Sequence, residues 1–316
     1  MKMPRAAIVI PAFEAAGTIA ATLRSVQAQG CGLAELSAVY MADDGSRDPT
    51  VSVAGEAWRF TSPPLRVLSA DRNLGQWPNV NRALGALPAN VEWVLLLHAD
   101  DLAKSGWLDT MLGRMNVCEP DVASICSSWE ALLPDGTVAG GEDDPRQTVH
   151  VVRGTSQAVR DTVVSGCWWH ISGCAMRLRA FRDVGPFNPA LAFADWEWLL
   201  RCLARGWQVE YVPTTLIQYR QHAGSVSADS FQRDQDIYET LAVVQRYARL
   251  LTLRDLWGVH FREGQFAGRR FGRAVLRGQP SRALARGRTL AAVVTSLSRY
   301  LLDTARTIAG RPSQSS

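Results

Sequence analysis

Apolar and polar positions follow two different periods along the first half of the chain. Residues 6–10 are a continuous apolar run closed by Pro11, and residues 18–29 then carry Ile19, Leu23 and Val26 at helical spacing. A strand and a helix are predicted. Residues 36–41 predict a second strand. After the turn Asp44-Gly45-Ser46, Asp48 stands as N-cap and Pro49 at the first position of a helix reaching about Phe60. Residues 65–68 read as a third strand, 78–87 as a third helix, and 91–97 as a fourth strand whose unbroken apolar character puts it at the centre of a sheet. A helix over about residues 106–115 follows. Strands alternating with helices predict an α/β fold with a mostly parallel sheet and crossover helices.

After that helix the alternation stops. Residues 122–127, followed by the turn Pro134-Asp135-Gly136, predict an antiparallel excursion, and residues 171–176 a further strand. A helix is expected over 196–203, ended by Gly206, with extended segments at 209–212 and 216–219. Beyond Ser230 the pattern is helical, and the tail 311–316 is expected to be disordered. No internal repeat is visible.

Charge divides the chain where the pattern does. Arginine recurs thickly from Arg246 to Arg311, where Asp255, Glu263 and Asp303 are the acids. Two domains are expected: 1–228, carrying the sheet, and 229–316, a basic helical extension. Within the latter, residues 281–308 can be drawn as a helix with Leu290, Val293, Val294, Leu297 and Leu301 near one face and Arg282, Arg286, Arg288, Arg299 and Arg306 around it. Such a helix either touches an anionic membrane surface peripherally, at the inner membrane face, or packs on the rest of the chain or on a second copy in a homo-oligomer.

Composition narrows the classes. With 316 residues, 47% hydrophobic and 20% charged, the chain is globular rather than disordered or fibrous. No uncharged apolar run reaches the ~18 residues that span a bilayer, and the opening segment meets Pro11 and then Glu14 before a secretory core can form. A cytoplasmic protein is expected. The six cysteines are scattered without Cys-x-x-Cys spacing, which predicts reduced thiols rather than a zinc or redox site. A net charge of +4 makes no case for nucleic acid as a partner.

Open α/β sheets bind ligands at the carboxyl ends of their strands. Those ends hold Pro11-Ala12-Phe13-Glu14, Asp43-Asp44-Gly45-Ser46, Asp71-Arg72-Asn73 and His98-Ala99-Asp100-Asp101. A carboxylate there can accept from a nucleobase or ribose, and a neighbouring one can hold a divalent metal against a diphosphate. Taken singly, each cluster reads equally as turn chemistry or helix capping.

Seven segments occur in a telling order: Ile8-Val9-Ile10-Pro11-Ala12-Phe13, Ser25-Val26-Gln27-Ala28-Gln29, Asp43-Asp44-Gly45-Ser46-Arg47-Asp48, Asn73-Leu74-Gly75 with Asn81, Ala99-Asp100-Asp101, Ala194-Asp195-Trp196-Glu197-Trp198-Leu199-Leu200-Arg201, and Tyr219-Arg220-Gln221-His222-Ala223-Gly224-Ser225. In order and spacing they resemble the family 2 glycosyltransferases over roughly residues 6–228. The resemblance implies a GT-A fold, a Rossmann-like mixed sheet with flanking helices, followed here by the C-terminal helical segment. It implies transfer of a sugar from a nucleotide-diphosphate donor (UDP, GDP or dTDP type) to a glycan, lipid-linked or small-molecule acceptor hydroxyl, with inversion. It places the donor against Pro11, Phe13, Glu14, Asp43, Asp44, Arg72, Asn73, Gly75, Asn81, His98, Ala99, Asp100 and Arg220. Asp195 would be the general base, with Glu197 next in line, and Asp100 and His222 would hold Mn²⁺ or Mg²⁺. His98 stands where the family usually has the first Asp of Asp-x-Asp, and Ala194 where a Glu usually precedes the base.

The chemistry of these side chains agrees with that picture. In-line displacement at an anomeric carbon needs a base for the acceptor hydroxyl and charge stabilisation for the departing diphosphate. Arg220 and His222 could grip phosphate oxygens. Trp168, Trp169 and Trp196 are acceptor candidates, because a sugar's apolar face stacks on indole. Two other classes compete. A sugar nucleotidyltransferase would begin with a glycine-rich loop and a lysine, where this chain has Pro11-Ala12-Phe13-Glu14-Ala15-Ala16. A catalytically degenerate member acting as a nucleotide- or glycan-binding scaffold would fit His98.

Overall fold

The computed structural model describes residues 5–60, 62–141, 143, 148–222 and 226–309. They divide into two compact units, residues 1–159 with 167–225 and residues 160–166 with 226–316.

The first unit opens with β1 (Ala6–Ala12), α1 (Ile19–Gln27), a 3-10 turn at Gly30–Glu35, β2 (Leu36–Asp43), α2 (Thr50–Ala57), β3 (Leu65–Val67), α3 (Gln76–Gly85) and β4 (Trp93–Leu96). It continues through β5 (Leu102–Ala103), α4 (Trp107–Val117), β6 (Val122–Leu132), β7 (Val138–Gly140) and β8 (His150–Val152). After α5 (Ser156–Ser165), whose residues from Arg160 on belong to the second unit, come β9 (Ala175–Arg177), α6 (Leu178–Val184), α7 (Ala194–Ala204) and β10 (Gln208–Arg220). The strands form one mixed sheet in the order β3-β2-β1-β4-β9-β6-β10-β5, with β7 beside β6 and β8 beside β10. β1 runs parallel to β2 and β4, and β6 parallel to β10. β9 is antiparallel to both β4 and β6, so β4 and β6 point the same way. The carboxyl ends of β1, β2, β4, β6 and β10 therefore share one edge.

Burial follows the apolar pattern. Ile8 and Ile10 of β1, Leu95 of β4, and Ile19, Leu23 and Val26 of α1 are all fully buried. Each such side chain contributes roughly 1.5–3 kcal/mol relative to exposure.

Four local departures from the sequence reading have physical causes. α2 stops at Ala57 because Trp58 turns into the core, and its indole N–H donates to the Pro63 carbonyl at 3.1 Å. The strand expected from residue 171 begins only at Ala175. Gly173 bends the chain at φ +86°, and a Cβ there would lie 2.2 Å from Ile217 Cγ1. The two extended segments at 209–219 are one strand, whose register shifts between Val212 and Thr215 absorb Pro213 while the Thr215 N–H turns to the Asp143 carboxylate at 2.7 Å. β8, α5 and α6 carry too little periodicity to have been predicted.

The second unit holds α8 (Val226–Gln232), α9 (Gln235–Tyr247), a 3-10 turn (Ala248–Leu250), α10 (Leu253–Leu276) and α11 (Pro280–Ala309). Ile237, Leu241, Ala267 and Val293 form its core, with Leu290 and Ala292 against them. The apolar face expected on residues 281–308 is thus partly taken up inside this unit, while Val294 and Leu301 stay exposed. Asp234, buried at the start of α9, accepts from Arg270 and Thr289 at 2.8 Å each and from Arg286. Arg160 of α5 grips Asp255 of α10 with two hydrogen bonds of 2.8 and 3.2 Å. The tail 311–316 lies outside the described residues. No helix among the described residues is long and apolar enough to cross a membrane.

Candidate active site

The ends of β1 and β2 are laced together before any ligand is considered. The Glu14 N–H donates to the Ser46 hydroxyl at 2.8 Å, Ala15 N–H to the Thr50 hydroxyl at 2.7 Å, and Ala16 N–H to the Asp48 carboxylate at 3.0 Å. Asp43 and Asp44 are both buried. The two Asp44 oxygens accept the N–H groups of Leu74 and Gly75 at 2.9 Å each, so this side chain shapes the Asn73–Gly75 loop. Gly45 takes φ +72°, and a Cβ on it would sit 2.6 Å from the Arg72 backbone. That close approach brings the loop carrying exposed Arg72 and Asn73 against β2. Pro11 is half-buried, while Phe13 and Glu14 stand exposed at the mouth of β1. Asn81 does not reach this edge: its amide donates to the Phe187 carbonyl at 2.8 Å and accepts the Phe187 N–H at 2.9 Å, bracing α3 to the segment before α7.

At the end of β4, His98, Asp100 and Asp101 bring one ligand-type atom each within 4.8 Å of the others. Ala99 between them is buried, its carbonyl accepting the Thr22 hydroxyl at 2.9 Å. The last turn of β10 completes the cluster. Arg220 donates its N–H to Asp101 Oδ1 at 2.9 Å and its Nε–H to the Asp100 carbonyl at 2.8 Å, and His222 Nε2 lies 3.0 Å from Asp100 Oδ2. Residues 223–225 of the same motif lie outside the described residues. Burial, reinforced by the Asp100 charge, pushes the Asp101 carboxyl up to about 8. Burial lowers the His98 pKa, with Asp100 opposing. Asp101 Oδ2 and His98 Nε2 are both buried without a hydrogen-bond partner. A buried carboxylate oxygen and a ring nitrogen, both without partners, beside the Asp100 carboxylate are a donor set suited to a divalent cation. Asp101 thus stands in the cluster beside Asp100, although the sequence analysis gives it no role.

Asp195 lies in the first turn of α7, half-buried, with Oδ1 accepting the Trp196 N–H at 2.9 Å. Its charge reaches Cys174, whose thiol is pushed well up, chiefly by burial. Glu197 is a different case. Buried, it receives the Arg201 Nε–H on both oxygens at 3.0 and 2.9 Å, while Arg201 also holds the carbonyls of Val184 and Pro186. That carboxylate is a structural anchor.

The acceptor tryptophans need correction. Trp169 is 2% exposed, stacked on Trp198 at 5.5 Å with its N–H on the Ser124 hydroxyl, and Trp196 is also buried. Both are core residues, and Trp168 is half-buried. The exposed indole at this edge belongs to Trp129 of β6, backed by His170 and Tyr219. The available signal was a large aromatic side chain at the carboxyl end of a strand.

Comparison with known proteins finds similarities in sequence and in fold. Residues 7–129 match the sequence model of glycosyl transferase family 2. A mannosyltransferase, PcManGT from Pyrobaculum calidifontis in complex with GDP-Man and Mn²⁺, is similar in structure at a TM-score of 0.59 and 15% identity, over 98% of this chain and 81% of that one. TarS 1–349 of S. aureus in complex with UDP-GlcNAc is similar at 0.59 and 15%, over 95% of this chain and 92% of that one. A search of curated protein sequences found no match.

Proposed function

We propose, from the match of residues 7–129 to the model of glycosyl transferase family 2, that the chain transfers a sugar from a nucleotide-diphosphate donor to an acceptor hydroxyl with inversion at the anomeric carbon. The observation that carries the reading is the His98–Asp100–Asp101 cluster at the edge where the parallel strands end, with Arg220 and His222 beside it. The solved relatives support a nucleoside diphosphate sugar as ligand, since one holds GDP-Man and another UDP-GlcNAc.

Asp100, Asp101 and His98 would hold a divalent cation, Mn²⁺ or Mg²⁺, with His222 on the outer oxygen of Asp100. Such an ion supplies charge stabilisation to a departing diphosphate. The Arg220 guanidinium adds positive charge at the same place. The mouth of β1, with Phe13 and Glu14, and the loop of Arg72 and Asn73 would take the nucleoside, and Asp44 would act by fixing that loop. Asp195 would take the proton of the acceptor hydroxyl.

The test is Asp195→Asn, which keeps shape and removes basicity. Transfer should fall at least ~10²-fold while thermal stabilisation by UDP or GDP with Mn²⁺ is kept. Near-normal turnover in the folded variant would refute the base assignment, and no stabilisation of wild type by either nucleotide would refute the donor reading. For the C-terminal helices the reading is peripheral contact with an anionic membrane surface, supported by exposed Leu253, Trp257 and Phe261 at four-residue spacing on α10.

A further inference from the structure

The carboxyl ends of β6 and β10 carry an aromatic assembly that the nucleotide and metal groups leave without a role. Trp129 is 38% exposed although it sits on a strand whose preceding residues are buried. Its indole stacks on the His170 imidazole, with ring centres 5.2 Å apart and planes inclined by 28°. Tyr219 meets both rings edge-on, at 5.5 Å and 71° to Trp129 and at 5.2 Å and 81° to His170. Strand register explains the meeting. Ile217 lies opposite Trp129 and Tyr219 opposite Ala131, so Trp129 and Tyr219 leave the same face of the sheet.

The assembly is tied to the carboxylate cluster from two sides. His170 Nδ1 lies 2.9 Å from the Ser172 carbonyl, and the Ser172 hydroxyl accepts the His98 N–H at 3.0 Å. Tyr219 is followed by Arg220, whose N–H holds Asp101. Burial pushes the His170 pKa down to about 4, so the ring behind the indole is neutral at physiological pH. An exposed indole backed by a stacked, uncharged ring offers a flat apolar surface. The ligand chemistry that matches a flat apolar surface next to a diphosphate-handling cluster is the C–H face of a pyranose ring.

We propose that Trp129, supported by His170 and Tyr219, is the platform on which a pyranose ring stacks beside the His98–Asp100–Asp101 cluster. The proposal rests on the sugar-transfer reading above and adds a specificity-determining contact to it. The ring could belong to the donor or to the acceptor, and the experiment separates the two.

Saturation-transfer NMR with diamagnetic Mg²⁺ would compare wild type, Trp129→Ala and Trp129→Phe. UDP-GlcNAc and GDP-mannose serve as donor probes, and methyl β-D-glucopyranoside and methyl α-D-mannopyranoside as acceptor probes. Sugar-ring signals should fall about tenfold in W129A and two- to threefold in W129F, with nucleobase signals unchanged. A fall confined to the donor sugars assigns the donor ring, and one confined to the glycosides assigns the acceptor. Equal sugar-ring signals in wild type and W129A would overturn the proposal. So would no sugar-ring signal from any probe in wild type, or a parallel fall of nucleobase signals in a variant that melts like wild type. Should W129A fail to fold, W129F carries the same comparison. Missing nucleobase signals in wild type would instead count against the donor reading, while the glycoside arm still decides the platform.

Discussion

At the scale of single residues, the cluster at the end of β4 divides its work by burial. Asp100 is partly exposed and faces His222, whereas Asp101 is enclosed and pinned by the Arg220 N–H. Asp100→Ala should abolish metal-stimulated transfer, and His98→Ala should weaken donor binding with a smaller effect on metal demand. Titrating Mn²⁺ into each variant checks this, and full activity in excess chelator would contradict it. His170 gives a pH prediction. Its pKa falls from the ordinary 6.5 to about 4 through burial, so the unfolded chain takes up a proton at a pH where the folded chain refuses it. The stability tied to a neutral His170 is complete above about 6.5 and is lost as pH falls toward 4. Asp101 acts in the opposite sense, the stability tied to its protonated form being full below about 3.8 and lost as pH rises from there to about 8. The difference between the melting temperatures of wild type and His170→Phe, taken from pH 7 to pH 4, isolates the first effect, and wild type should lose ground to the variant as pH falls from about 6.5 toward 4.

At the scale of elements, polar side chains join the pieces that apolar packing alone would leave free to slide. In the second unit, Asp234 collects Arg270 of α10 and Arg286 and Thr289 of α11 at the start of α9. Asp234→Ala leaves Arg270 its pair of bonds to Asp236 but strips Arg286 of its buried carboxylate. Removing one partner of a buried ion pair costs about 3–5 kcal/mol, so urea unfolding of D234A should show a much lower midpoint for this unit. An unchanged midpoint would mean the network carries no net stability. The same logic explains why Glu197 and Asn81, both within motifs, serve as braces in this structure. Sequence spacing places a carboxylate or an amide on a helix, but only packing decides whether its partners are Arg201 and Phe187 or a ligand.

At the scale of the whole molecule, the chain enters the C-terminal unit twice, since residues 160–166 belong with 226–316. Apolar exposure in that unit is concentrated on α10, where Trp257 and Phe261 are each 57% exposed and Arg246, Arg249 and Arg254 stand exposed nearby. Full-length protein should cosediment with vesicles rich in phosphatidylglycerol and not with phosphatidylcholine alone. The combined change Trp257→Ala and Phe261→Ala should weaken binding by at least ~10-fold, given the apolar area removed. Absence of cosedimentation at low salt would refute the membrane reading. What the sequence determined by itself was whatever short-range periodicity and strand-end chemistry encode: the β-α alternation through β4, the acidic clusters at strand ends, and the basic helical C-terminal segment. Those signals are local, because an apolar run or a turn motif is complete within a few residues. Tertiary structure alone decided which of the motif residues face solvent. It buried Trp169 and Trp196, gave Asp101 its enclosed place in the cluster, and brought Trp129, His170 and Tyr219 together from three distant segments. Such outcomes depend on strand register and on contacts across 40 to 120 residues, and a one-residue change in register turns every side chain to the opposite face.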